Sequence, residues 1–274
     1  MCFGVRDAIA LAIDKASQQP LTILGELVHN ESVMAELAAQ GIRSETEPSK
    51  ISTASVMVTA HGASEKAKQR VKARGLDVME ATCPLVHYAH AAVAGLVGEG
   101  YFPVIIGQRG HVEVRGLTED LAAFDIVLTE EDIRRLAPRA RFGVAAQTTQ
   151  PIDRVRHLVG LMRATFPSSD VRFIDTVCQP TKQRQSAAIG MAAESDVVVV
   201  VGGFHSNNTR ELVATCQRYC EKVFHIQHAA ELRPCWFEGA HTIGLTAGTS
   251  TPDTVIDEVE QWLREKLETE RGSQ

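Results

Sequence analysis

Val171-Arg172-Phe173-Ile174-Asp175 runs directly into Thr176-Val177-Cys178, and Leu76-Asp77-Val78-Met79-Glu80 runs in the same way into Ala81-Thr82-Cys83. In both, a short strand-like stretch delivers a cysteine. A third cysteine heads Cys2-Phe3-Gly4-Val5-Arg6-Asp7-Ala8, with only Met1 ahead of it. The distances downstream agree: Cys2 to His29 is 27 residues, Cys83 to His111 is 28 and Cys178 to Ser206 is 28. A second polar loop follows in each case, at Thr59-Ala60-His61-Gly62-Ala63-Ser64, Ala146-Gln147-Thr148-Thr149-Gln150 and Thr246-Ala247-Gly248-Thr249-Ser250-Thr251. This is one α/β unit used three times, with 81 and then 95 residues between cysteines. By the same comparison, the first cysteine lacks its leading strand, and a run of ~8 to 10 residues is expected upstream of Cys2. A ligand on a frayed end would cost stability.

Outward from the cysteines the chain alternates strands and helices. Strands are expected at Leu21 to Val28, Ser55 to Ala60, Phe102 to Gly107, Phe124 to Leu128, Phe142 to Ala146, Val171 to Asp175, Asp196 to Gly203, Val223 to Ile226 and Thr242 to Thr246. Helical periodicity lies between them, at Ser32 to Gln40, Leu85 to Val97, Ile152 to Thr165, Lys182 to Ala193, Thr209 to Tyr219 and Pro252 to Leu267. Near-continuous apolar strands in such alternation predict parallel sheets covered by helices, with ligands at the strands' carboxyl ends. The expected architecture is α/β: units 1–83, 84–177 and 178–274 around a pseudo-threefold axis, a trefoil bringing three thiols and six polar loops to one place.

Composition narrows the function. At 274 residues with a net charge of −6 and dispersed Lys and Arg, the chain has no basic face for nucleic acid or an anionic membrane. No apolar run approaches the ~18 to 20 residues of a membrane span, and Arg6, Asp7 and Asp14 break any signal-peptide pattern. A cytoplasmic protein is expected. Six cysteines in a chain this long do not make a disulfide framework, so metal binding or catalysis is the better reading. Cys2, Cys83 and Cys178 come from separate units with no close C-x-x-C pair, unlike a zinc ribbon. They suit an iron–sulfur cube with one iron left open, able to act as a Lewis acid while the cluster supplies electrons. Cys216, Cys220 and Cys235 are read as packing residues, as are His157, His225, His228 and His241 as structural ones. His87 and His90 belong to the helix after Cys83 and are not read as zinc ligands.

Cys2-Phe3-Gly4-Val5-Arg6-Asp7-Ala8, Val28-His29-Asn30, Ala60-His61-Gly62, Ala81-Thr82-Cys83-Pro84-Leu85-Val86, Gly110-His111-Val112-Glu113-Val114-Arg115-Gly116, Gln147-Thr148-Thr149, Val177-Cys178 and Thr246-Ala247-Gly248-Thr249-Ser250-Thr251-Pro252-Asp253 together resemble the 4-hydroxy-3-methylbut-2-enyl diphosphate reductase family, in order and over nearly the whole chain. The resemblance implies one 4Fe-4S cluster per chain on Cys2, Cys83 and Cys178. It implies reductive removal of an allylic hydroxyl to give isopentenyl and dimethylallyl diphosphates, the last step of the methylerythritol phosphate route. Glu113 would be the proton source, with Thr148 holding the substrate hydroxyl and relaying the proton. His29, His61, His111, Ser206, Asn208 and Ser250 match diphosphate-binding positions in loops before helices. Asn207 replaces the usual serine between Ser206 and Asn208, Ala146 replaces a threonine, and Val112 replaces a proline, which frees the backbone between His111 and Glu113. With no Gly-x-Gly-x-x-Gly fingerprint, electrons are expected from ferredoxin or flavodoxin. The same residues would also serve an open-iron dehydratase or a non-catalytic cluster sensor; dependence on an external reductant separates the reductase from the first, and fewer than about four irons per chain would point to the second.

Overall fold

The structure is a computed structural model that describes residues 1–271, with side chains through residue 266. In chain order the elements are α1 (Phe3–Gln18), β1 (Leu21–Leu24), α2 (Glu31–Ala39), β2 (Arg43–Glu45), β3 (Ser55–Val58), α3 (Glu65–Lys72), β4 (Asp77–Glu80), α4 (Pro84–Gly98), β5 (Phe102–Ile106), α5 (Val112–Thr118), β6 (Asp125–Val127), α6 (Glu130–Arg134), β7 (Arg141–Ala146), α7 (Ile152–Thr165), β8 (Asp170–Phe173), α8 (Gln179–Ala193), β9 (Val197–Val201), α9 (Asn207–Cys216), β10 (Val223–Ile226), β11 (Ile243–Ala247) and α10 (Asp253–Arg271). The strands form three sheets, ordered β2-β1-β3-β4, β6-β5-β7-β8 and β10-β9-β11. Every described strand pair is parallel. The expected α/β class is therefore the observed one. The repeat is visible in strand order: each sheet places its second strand beside its first, then its third, and the first two sheets add a fourth.

Two compact units are distinguished. The larger holds Gly4–Val28 and Met34–Gln179, hence the first two sheets; the smaller holds Met1–Phe3, His29–Val33 and the chain from Pro180 onward, hence the third.

In the smaller unit, β9 is five consecutive valines, all 0% exposed. Successive side chains of a strand point to opposite faces. Val197, Val199 and Val201 accordingly pack with Val259 and Leu263 of α10, while Val198 and Val200 pack with Ala188 and Ala192 of α8 and Leu212 of α9. The second sheet repeats this division: Val104, Ile106, Val144 and Ala146 join α7, and Ile105 and Ala145 join Ala89 and Val93 of α4. A sheet buried on both faces leaves only its strand ends and the following loops open to a ligand.

Several expectations need correction. The strand expected to reach Val28 ends at Leu24, because Gly25 turns the chain at φ 93°. The one expected to reach Gly203 ends at Val201, before Gly202 at φ 152°. Edge strand β2 and helix α6 were not foreseen. β2 is Arg-Ser-Glu and buries no apolar face, so it carries no strand pattern.

Candidate active site

The three cysteines of the repeat share one local design. Cys83 N–H donates to Ala60 O at 3.1 Å, Cys178 N–H to Thr148 O at 2.9 Å and Cys2 N–H to Thr249 O at 2.9 Å. Each acceptor lies two residues beyond the end of its sheet's third strand, at Val58, Ala146 and Ala247. Each cysteine also immediately precedes a helix, α4 for Cys83, α8 for Cys178 and α1 for Cys2. All three thiols are partly exposed and form no disulfide, whereas Cys216 and Cys220 are buried in the core. Cys235, expected to pack, is exposed. A Cβ on Gly4 would stand 2.5 Å from Cys83 Sγ, so this glycine leaves room for the sulfur.

In the larger unit the acid lies among groups that hold it still. Glu113 is 1% exposed, and its Oε1 accepts from Thr148 N–H at 2.7 Å. The Thr148 hydroxyl bonds the same carboxyl. Burial outweighs both bonds and raises the Glu113 pKa to about 7. His111 is the N-cap of α5, and its Nδ1 accepts from Glu113 N–H at 3.2 Å. In the neutral ring the proton then sits on Nε2, which becomes the donor. Val112 occupies the first helical position, where proline is also tolerated, and the cap fixes the backbone that its loss was expected to free. The His61 ring meets His111 edge to face with centroids 5.6 Å apart. His61, His111, Glu113 and Thr148 thus share the larger unit with Cys83 and Cys178.

The smaller unit gathers the other polar loops. Ser206 caps α9, its Oγ accepting from Thr209 N–H at 3.3 Å. Asn207 and Asn208, expected in a loop, form the first turn of that helix and are 3% and 7% exposed. Asn208 Nδ2 is buried without a hydrogen-bond partner among the described residues. Ser250 Oγ donates to His29 O at 3.4 Å, and a Cβ on Gly203 would meet that carbonyl at 2.6 Å. His29, Ser206, Asn207, Asn208 and Ser250 therefore belong with Cys2. Thr209, which the sequence did not single out, is pressed between two glycines: added Cβ atoms at Gly202 and Gly248 would stand 2.7 and 2.1 Å from its Oγ1. Glycine at the ends of both β9 and β11 was the available signal.

A family model described as LytB protein matches residues 1–264. The chain belongs to the LytB family. Among its relatives, 4-hydroxy-3-methylbut-2-enyl diphosphate reductase of Aquifex aeolicus is 36% identical over 274 residues, covering 97% of this chain and 94% of its own. The enzyme of the same name from Geobacter metallireducens is 33% identical, covering 96% and 94%. Two solved structures are similar. One, the E-1-hydroxy-2-methyl-but-2-enyl-4-diphosphate reductase of Plasmodium falciparum, superposes with a TM-score of 0.88 at 26% identity, covering 96% of this chain and 84% of that one. The other, described as (E)-4-hydroxy-3-methyl-but-2-enyl diphosphate reductase, the terminal enzyme of the non-mevalonate pathway, has a TM-score of 0.68 at 34% identity, covering 97% and 96%.

The donor set of this LytB chain fits an iron–sulfur cube. Its three helix-opening thiols repeat one backbone register, with Gly4 making space beside Cys83. Among the described residues no three His, Cys, Asp or Glu side chains could hold one metal ion. A cube spreads its thiolates over separate irons, so its ligands need not converge on a single point. Of the histidines read as structural, His157 pairs with Glu130 at 2.8 Å and His225 bonds Gly202 O at 2.9 Å. No described helix is long and apolar enough to cross a membrane.

Proposed function

We propose that this LytB-family chain is a 4-hydroxy-3-methylbut-2-enyl diphosphate reductase that holds one 4Fe-4S cluster on Cys2, Cys83 and Cys178. The allylic diphosphate takes up two electrons and two protons. Its C–O bond breaks, the hydroxyl leaves as water, and a C–H bond forms in isopentenyl or dimethylallyl diphosphate. When bound, the cluster would supply the electrons and an open iron as Lewis acid. The observation that carries the reading is Glu113, a buried carboxyl with a pKa near 7 in the first turn of α5, in a chain whose relatives are named 4-hydroxy-3-methylbut-2-enyl diphosphate reductase. A carboxyl half-protonated at neutral pH is suited to donate a proton and be recharged.

The remaining residues bind, orient and relay. Thr148 presents its hydroxyl to Glu113 and can pass the proton to the departing oxygen. His111 Nε2–H is a donor for a phosphate oxygen, and His29, His61, Ser206, Asn207, Asn208 and Ser250 complete the diphosphate site. Its support is the α9 N-terminus, whose dipole favours an anion, and a buried Asn208 Nδ2 that has no acceptor among the described residues. The unit boundaries 1–83, 84–177 and 178–274 follow from the same reading, supported by the repeated strand order. The electron donor is a small carrier such as ferredoxin or flavodoxin. The working compartment is the cytoplasm, consistent with six cysteines outside disulfides.

Anaerobic reconstitution tests this. The wild-type chain should bind about four irons, as one cube requires, and turn over the substrate only with a reductant such as reduced methyl viologen. Folded protein without iron, or turnover without reductant, would overturn it.

A further inference from the structure

In all three sheets the end of the third strand, beside the loop that receives the cysteine, is held through its last carbonyl. In the first sheet, the carbonyl of Val58, the last residue of β3, accepts from Ala81 N–H at 3.0 Å, two residues ahead of Cys83. In the second, the carbonyl of Ala146, the last residue of β7, accepts from Thr176 Oγ1 at 2.6 Å, again two residues ahead of the cysteine. In the third, the carbonyl of Ala247, the last residue of β11, accepts from Nη1 of Arg184, a side chain reaching in from α8. The same nitrogen lies 3.5 Å from Gly248 O.

We propose that Arg184 is the positioning residue for Cys2: its guanidinium anchors the strand end and loop that receive Cys2, and adds a fixed positive charge beside that cluster ligand. This rests on the reductase reading above. The neighbouring contacts form a sequence along the chain. Ala247 and Gly248 face Arg184, and Thr249 O accepts from Cys2 N–H at 2.9 Å. The guanidinium is largely withdrawn from water, which lowers its pKa, while the charges of Cys2 and Asp253 act to raise it. Arginine suits the place because its rigid fork can serve two carbonyls and stays charged, which a lysine point charge does less well. A cation beside a thiolate of the cluster favours the more negative reduced state and so raises the potential.

The test compares reconstituted wild type, Arg184→Gln and Arg184→Lys by iron loss to a chelator and by redox titration followed by electron paramagnetic resonance. Arg184→Gln should lose iron several-fold faster and titrate at a more negative potential. Arg184→Lys should recover the potential but less of the retention. Wild-type iron loss and potential in Arg184→Gln would overturn the proposal, as would Lys and Gln variants with the same shifted potential. If Arg184→Gln does not fold, Arg184→Lys read against wild type still decides, unchanged iron loss being the adverse result. A wild-type chain that takes up no iron would instead sink the reductase reading.

Discussion

Burial raises the Glu113 carboxyl to about 7 although it accepts two hydrogen bonds from Thr148, so at this residue desolvation exceeds hydrogen bonding. The folded chain holds that proton to a higher pH than the unfolded chain, whose carboxyl has the ordinary value of 4.5. The stability it confers is complete below about 4.5 and is lost as pH rises through about 7, on the order of 3 kcal/mol in all. Glu113→Gln keeps an acceptor for Thr148 N–H and cannot ionise. Thermal melts should therefore show the variant gaining on wild type between pH 5 and pH 8; a constant difference would remove the buried charge from the account. Its iron content should match wild type while turnover falls by about 10² to 10⁴. Wild-type kcat/KM should fall above about pH 7 as Glu113 ionises.

Helix α9 is opened by Ser206, whose Oγ caps its first turn. Ser206→Ala removes the acceptor for Thr209 N–H and should cost about 1 kcal/mol of stability. The same change should raise KM for the diphosphate more than it lowers kcat, with Ser206→Thr restoring much of both. An alanine variant with unchanged KM would take this terminus out of the substrate site. Elements of this kind were legible where apolar spacing is regular: the five valines of β9 and the run Ile152–Thr165 of α7 stand where periodicity put them. β2 and α6 were not, because three polar residues at a sheet edge and a five-residue helix with one buried side chain, Ile133, leave no pattern.

For the molecule as a whole, a group bound by the folded chain and not by the unfolded one stabilises it by mass action. Iron removal by an anaerobic chelator should lower the Tm of the reconstituted protein by several degrees, and re-addition of iron and sulfide should restore it. Equal Tm values with and without iron would contradict ligation by structured thiols. The threefold repeat and the three cysteines at its recurring point are properties of the sequence by itself. Strand periodicity, cysteine spacing and Gly-His-x-Glu are local along the chain, and local patterns fix parallel strands and the residues that follow them. Only the tertiary structure decided that Glu113 would hold its proton to neutrality, that Asn208 Nδ2 would be buried without an acceptor among the described residues, and that Arg184 would serve the carbonyl of Ala247. Each depends on how much water the surrounding chain excludes and which distant atoms it brings within bonding reach, and neither quantity is written in a neighbourhood of sequence.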